Sequence, residues 1–362
     1  MKHSTRPFHQ QRILCYAPYN MWKLHGMWEM TILHTLKLRG ADFRYVMCDG
    51  VFTECDIFWK ATNPRHVASC TLCKNQTDEF ARNMGISFQW IGQYLNVDDF
   101  NRAAAWVESL SIDDYMTAEY ESWRVGVWVK GSVNSHFRMS ELDITDPEIK
   151  QVYKHYLYSG LIACIGINRL LDDYRPDTLF LFNGRMSSTR VALSLAQQKG
   201  IRTIIHERGY LKEGILLIEN GDCLDLRPIK QIWNDWGAVP LSQKELHQIT
   251  SYLRDREHGQ NLSWRPFSPK PQPLPLVRQL LKIPDQCPVW VLFTSSDDEI
   301  IAADDWEGVF SSQHEWISRT VNYIKNHPDV RLIVRIHPNT SGKYATGNNF
   351  QQLKALEILA TQ

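Results

Sequence analysis

Asp177-Thr-Leu-Phe-Leu-Phe-Asn-Gly-Arg185, then Ser187-Ser-Thr-Arg-Val-Ala-Leu-Ser-Leu-Ala196, then Ile201-Arg-Thr-Ile-Ile-His-Glu-Arg-Gly209: the reading of this stretch decides the fold. Two apolar runs, Thr178–Phe182 and Ile201–Ile205, each stop at a polar, glycine-containing turn. The segment between them carries hydroxyl residues at its start and apolar residues at helical spacing, so it reads as a helix. A strand, a turn, a helix and a second buried strand make the crossover unit of a parallel sheet. Ligands of such sheets sit beyond the carboxyl ends of the strands. Asn183, Gly184, Arg185, Arg190, His206, Glu207 and Arg208 therefore fall where acid/base and anion-binding chemistry is expected.

Working outward, Arg12–Ala17 reads as a first strand, Trp22–Leu38 as a helix closed by Arg39-Gly40, and Asp42–Met47 as a second strand. A mostly helical middle runs from Asp78 to about Asp173, with helix starts expected at Asp98-Asp99 and Asp146-Pro147. Prolines 266, 269, 271, 273 and 275 favour an extended linker over helix or strand. Beyond it, Val289–Phe293, Gln313–Asn326 and Val330–Ile336 open a second β-α-β pattern. The expected fold class is α/β with two Rossmann-like lobes built on parallel sheets. The expected domains are 1–263, an N-terminal acceptor-side lobe with a helical insertion; 264–284, a proline-rich linker; and 285–362, a partial C-terminal donor-side lobe, since a stable open sheet usually holds about four to six strands.

Composition narrows the function classes. A chain of 362 residues, 43% of them hydrophobic, is long enough for two cores. Lys+Arg and Asp+Glu both number 40, so no overall positive field draws the protein to nucleic acid. No apolar run approaches the roughly 20 residues of a membrane span, and the first residues lack the apolar region of a secretory signal; a cytoplasmic location is expected. Eight cysteines in such a chain are not expected to form a disulfide framework.

Taken together, several short motifs resemble the capsule-polysaccharide-biosynthesis type of bacterial glycosyltransferase, with two Rossmann-like lobes in the glycosyltransferase-B arrangement. They are His25-Gly26 with Glu29 and Arg39-Gly40; the Cys48-Asp49-Gly50 to Cys73 cluster; Asn183-Gly184-Arg185 with Arg190; His206-Glu207-Arg208-Gly209; Phe293-Thr294-Ser295-Ser296; and Arg335-Ile336-His337-Pro338. The set spans roughly residues 12 to 340. The resemblance implies a nucleotide-sugar donor held mainly by the C-terminal lobe, and a glycan or lipid-linked glycan acceptor. It also leaves room for peripheral membrane or partner-subunit association.

For the individual residues, each functional reading stands beside a plainer one. His206 and Glu207 suit acid/base work on an acceptor hydroxyl, or an ion pair fixing a turn with Arg208. Arg185 and Arg190 suit a phosphate or carboxylate, or a carboxylate of the protein itself. Arg335 and His337, two apart on a strand, suit a donor diphosphate, as do the hydroxyls of Ser295 and Ser296; helix capping and loop hydrogen bonds are the plain alternatives. His25 and Gly26 suit acceptor contact or core packing with Trp22 and Trp28. No Asp-x-Asp motif follows a strand, since Asp222, Asp225, Asp297, Asp298, Asp304 and Asp305 read as loop and cap residues, and no catalytic metal or other catalytic cofactor is expected. Cys48, Cys55, Cys70 and Cys73, spaced C-x6-C-x14-C-x2-C, read as a structural zinc site, as reduced thiols packed in a loop, or as a redox pair. Glycosyl transfer is the leading function. A nucleotide-sugar epimerase and a non-catalytic glycan- or partner-binding module are the alternatives.

Overall fold

The computed structural model describes residues 11–58, 67–260, 271–300 and 309–337. Pro266, Pro269, Asp304, Asp305 and Pro338 lie outside the described residues. The chain divides into two compact units. The first comprises the described residues within Met1–Glu207, Leu217–Asp225 and Asp298–Ala303; the second comprises those within Arg208–Leu216, Leu226–Asp297 and Asp304–Gln362.

The first unit is built on strands β1 (Arg12–Ala17), β2 (Asp42–Met47), β3 (Phe88–Trp90), β4 (Thr178–Phe182), β5 (Arg202–Arg208) and β6 (Ile215–Glu219), in the order β3-β2-β1-β4-β5-β6. The pairs β1·β2, β2·β3, β1·β4 and β4·β5 are parallel. This is an α/β protein with a mostly parallel sheet, as the sequence predicts. The central strands need no alternation of polar and apolar residues because both their faces are covered: Ile13 to Ala17 and all five residues of β4 are buried.

Helix α1 (Lys23–Leu38) follows β1, and α2 (Val67–Asn83) precedes β3. Three helices fill the space before β4: α3 (Val97–Ser109), α4 (Val125–Phe137) and α5 (Pro147–Tyr174). Helix α3 starts at Asn96, whose side chain accepts from the Asp99 amide while the Asp99 carboxylate accepts from the Asn96 amide, a capping box that begins two residues before the expected Asp98-Asp99. Asp146 and Pro147 open α5 as expected, the Asp146 carboxylate accepting from Glu148 and Ile149 amides. Along α5, Tyr153, Tyr156, Leu157 and Leu161 are fully buried, each such side chain contributing on the order of 2 kcal/mol of apolar transfer energy. Helix α4 is buried along most of its length, and at Gly126 its backbone meets the loop before it: a Cβ there would lie 2.3 Å from the Tyr115 carbonyl oxygen and 2.6 Å from the Ala118 nitrogen. Helix α6 (Ser187–Gln198) completes the crossover from β4 to β5.

The second unit holds α7 (Arg227–Trp236), α8 (Gln243–Glu257), α9 (Leu274–Leu280), β7 (Val289–Phe293), α11 (Gln313–Lys325) and β8 (Arg331–Arg335); a four-residue helix, α10 (Asp297–Ile300), lies between β7 and α11 in sequence and groups, apart from Asp297, with the first unit. Strands β7 and β8 pair parallel, as the second β-α-β pattern predicts. Helices α7 and α8 group with this unit and not with the first. Helix α9 corrects the expectation of an extended segment through Pro273 and Pro275. Pro273 sits at the N-cap and Pro275 in the first turn, positions where a missing N–H costs nothing.

Candidate functional site

Strands β1 and β4 lie side by side although α1 leaves one and α6 leaves the other, so the order reverses between them. That is the point at which open α/β sheets form a crevice at the carboxyl ends of their strands. Three groups of polar side chains gather there.

The first group is built on α1, β4 and β5. Strand β5 runs on through His206, Glu207 and Arg208, where the sequence suggested a turn; His206 is buried there and Glu207 stays partly accessible. His206 is fully buried and its Nε2 lies 2.9 Å from the Oε1 of Glu29, itself only 3% exposed at its side chain. Tyr45 donates its hydroxyl to the other Glu29 oxygen at 3.3 Å, and burial raises the Tyr45 pKa so that it stays a donor. Phe180 and Phe182 flank the His206 ring, with centroids 5.0 and 5.5 Å away. Removing a lone carboxylate or imidazole from water is costly, and a paired, hydrogen-bonded arrangement offsets that cost.

Glu207 stands beside this pair but keeps 18% of its side chain accessible. Asn183 donates Nδ2–H to Glu207 Oε2 at 2.8 Å, and the Nε2 of His25 lies 3.9 Å from Oε1. His25 is packed on the Phe182 ring, centroids 3.8 Å apart, and edge-on to Trp28. Asn183 can play this part because the chain turns left-handed at Asn183 and Gly184, with φ of 67° and 73°. The Asn183 amide donates to the His206 carbonyl at 3.0 Å, so the same residue ties together the carboxyl ends of β4 and β5. Gly26, on α1, is buried near the Asn20 side chain.

The second group centres on Asp56, 1% exposed. Its carboxylate accepts from Tyr19 Oη at 2.8 Å, from Ser187 Oγ at 2.7 Å and from Ser132 Oγ. Ser132 Oγ in turn accepts from the Ser187 amide at 2.7 Å, and Tyr19 Oη from the Ser188 amide at 3.1 Å. The first amides of α6 are thus met by protein hydroxyls, with a buried carboxylate behind them where the helix dipole favours negative charge.

The third group holds the arginines. Arg185, 6% exposed, donates Nη1–H to Ser135 Oγ at 3.0 Å. Burial works against its charge, yet Cys223 and the carboxylates of Glu299, Asp298 and Asp56 outweigh that and hold its pKa above the ordinary value. Arg190 pairs with Asp222 at 2.9 Å. Arg138 pairs with Asp298 and Glu299, each at 3.1 Å. The plainer alternative, an arginine paired with a carboxylate of the protein, describes Arg190, while Arg208 is half-buried at the end of β5.

In the second unit, Ser295 is engaged by Gln313, whose Oε1 accepts from the Ser295 amide at 2.6 Å and hydroxyl at 3.1 Å; Ser296 is buried. Arg335 is exposed at the end of β8, and the His337 amide donates to Thr294 Oγ1 at 2.8 Å. Cys70 and Cys73 lie on α2 and not in a loop, and Cys48 and Cys55 come from the segment after β2. All four line one small cavity.

Glu29 pairing with His206, and the whole Asp56 group, are absent from the candidates that the sequence suggests as acid/base residues. Glu29 is i+4 from His25 on α1, a spacing that places both on one helix face. Tyr19, Ser132 and Ser187 lie 37, 76 and 131 positions from Asp56 along the chain, and no local pattern joins them.

No protein-family model matches the chain. No curated protein matches it. Among solved structures, it is similar to a UDP-GlcNAc 2-epimerase from Neisseria meningitidis bound to UDP-GlcNAc, at 9% identity over 97% of this chain and 70% of that one, with a TM-score of 0.28. It is also similar to a CDPS from Staphylococcus haemolyticus, at 6% identity over 52% of this chain and 84% of that one, with a TM-score of 0.31. Likenesses this distant carry no weight for activity. No helix among the described residues is long and apolar enough to cross a membrane.

Proposed function

We propose that the protein transfers a sugar from a nucleotide-activated donor to a hydroxyl of a glycan acceptor, with Glu207 as the proton acceptor. One observation carries this reading: Glu207 is a carboxylate held in place by Asn183 at 2.8 Å, beside His25, yet still accessible, at the switch point of a parallel sheet. A general base must be anchored and reachable at once, and positioned proton transfer contributes roughly 10²- to 10⁴-fold in rate.

In the proposed step the acceptor oxygen bonds to the anomeric carbon while its proton passes to Glu207. The bond from that carbon to the phosphate oxygen breaks, and the nucleoside diphosphate leaves with the electron pair. His25, with Nε2 3.9 Å from Glu207 Oε1, stands beside the carboxylate and helps to fix its position. The buried Glu29–His206 pair fixes the end of β5 from which Glu207 projects. Ser295, Ser296, Arg335 and His337 keep the donor-phosphate role that the resemblance to capsule-type glycosyltransferases gives them, and Arg185 and Arg208 are secondary anion contacts in the same reading.

The test is incubation with a panel of labelled nucleotide sugars, with and without oligosaccharide acceptors. The expected outcome is release of nucleotide that depends on acceptor, together with a lengthened glycan. An epimerised sugar nucleotide with no acceptor dependence overturns the proposal. So does a melting temperature raised by oligosaccharide and untouched by millimolar nucleotide sugar.

A further inference from the structure

Two arginines of the first unit, Arg138 and Arg185, have buried side chains and are joined through Ser135: the Arg138 amide donates to the Ser135 carbonyl at 3.4 Å, and Arg185 Nη1 donates to Ser135 Oγ at 3.0 Å. Arg138 closes α4 in the left-handed conformation, with φ of 57°. Its Nη1 donates to Asp298 Oδ2 and to Glu299 Oε1, each at 3.1 Å, and the same two carboxylates help to hold the charge on Arg185. Both acids belong to the four-residue helix α10, which from Asp298 onward groups with the first unit although β7 before it does not. The acids fit the arginines poorly. One nitrogen serves both carboxylates, where a guanidinium binds best by forking two nitrogens across one partner. Asp298 is 0% exposed, yet its Oδ1 has no hydrogen-bond partner among the described residues. Burial raises the Asp298 pKa, and the pull of Arg138 and Arg185 in the other direction does not cancel it.

We propose that Arg138 and Arg185 form a binding site for a diphosphate group, and that Asp298 and Glu299 fill it as the chain's own substitute anions, so that the ligand enters by displacing them. Two carboxylates stand against two guanidinium groups, and a diphosphate brings at least as much negative charge with oxygens enough for each arginine to fork. Once the acids leave, two buried cations lack their counter-charge, and a bound diphosphate restores it. The acids therefore set affinity by competition: ligand binding weakens in proportion to the share of molecules in which they are seated. The proposal rests on the role of Arg185 as an anion contact in the proposed transfer, and not on Glu207.

The test titrates the purified full chain with inorganic pyrophosphate in a calorimeter, beside a double variant, Asp298→Asn with Glu299→Gln, which keeps the shape of both side chains and removes their charge. The expected result is pyrophosphate binding at one site per chain that is about tenfold or more tighter in the double variant, with a melting temperature that falls on substitution and recovers on adding pyrophosphate. Adding Arg138→Gln to the double variant abolishes the tight site. Glu299→Gln alone, at a side chain 38% exposed, spares the fold if the double variant does not survive, and is expected to tighten binding about threefold. Equal affinities in the protein and in whichever of these two variants folds overturn the proposal and leave the acids as structural partners of Arg138. Tight binding that survives Arg138→Gln overturns it as well. A failed titration leaves transfer at Glu207 standing, and a failed transfer assay leaves the arginine site standing.

Discussion

Replacing Asp56 with asparagine keeps the shape of a buried side chain and removes its charge, which makes the cost calculable. Oδ2 accepts from Tyr19 at 2.8 Å and from Ser187 at 2.7 Å, while Oδ1 accepts from Ser132. The least disruptive asparagine rotamer keeps oxygen at the Oδ2 position. Two hydrogen bonds to a charged acceptor then become neutral ones, a loss of about 1 kcal/mol each. At the other position an NH2 group meets Ser132, whose hydroxyl was donating; Ser132 also accepts from the Ser187 amide, so its proton is left without an acceptor, for about 1 to 2 kcal/mol more. The sum is about 3 to 4 kcal/mol, or on the order of 10 °C in melting temperature for a unit of this size. Urea unfolding followed by circular dichroism measures it, with the midpoint falling and the slope unchanged. A loss below about 1 kcal/mol would refute the view that this carboxylate organises the start of α6.

Three further outcomes follow from the geometry. Glu207→Gln keeps an oxygen for Asn183, so stability changes by no more than about 1.5 kcal/mol while turnover drops about 10²- to 10⁴-fold; retained turnover in a product assay would remove Glu207 as the base. Gly126→Ala forces a methyl group against the backbone of Tyr115 and Ala118 and lowers stability by about 1 to 3 kcal/mol in urea unfolding. At Asp99, burial pushes the carboxyl pKa up, but hydrogen bonds from Arg169, at 2.8 Å to Nη2, from the Asn96 amide and from Arg102 outweigh it and hold the pKa below the ordinary value. A lowered carboxyl pKa stabilises the fold above about pH 3.9 and stops doing so as the pH falls through the folded value. The stability gap between the protein and Asp99→Asn, measured by urea unfolding, is therefore full at neutral pH and shrinks below about pH 4.

The crossover from β4 through α6 to β5 was legible because uninterrupted apolar strands and a capped helix are local signals. The first βαβ unit and the Asp146-Pro147 helix start were legible for the same reason. Strand β3, three residues long, is too short to show a period, and β6 alternates exposed and more buried positions along Ile215–Glu219 although its first four residues are all apolar, so no alternation shows in the sequence. Proline content misled at α9 because its effect depends on position within a helix, and two of these prolines occupy its start. At the site, glycine and charged residues at strand ends pointed to Asn183, His206 and Glu207. They could not say that His206 faces inward to Glu29 while Glu207 stays accessible, since that depends on where β5 stops. Arg190 is likewise ambiguous until Asp222, 32 residues on, is brought beside it.

The neighbours β1 and β4 have a consequence for the nascent chain. The Arg12 amide meets the Asp177 carboxylate at 2.9 Å across a separation of 165 residues, and the two strands beside them form the middle of the sheet. During synthesis β1 can pair with β2 and then waits, one edge open, until α2 to α5 have left the ribosome and β4 arrives. At about 5 to 20 residues per second that wait lasts on the order of ten seconds or more. An apolar strand left open for so long invites pairing with other chains, so the yield of folded protein should depend on translation speed and on chaperones that shield the β1 edge.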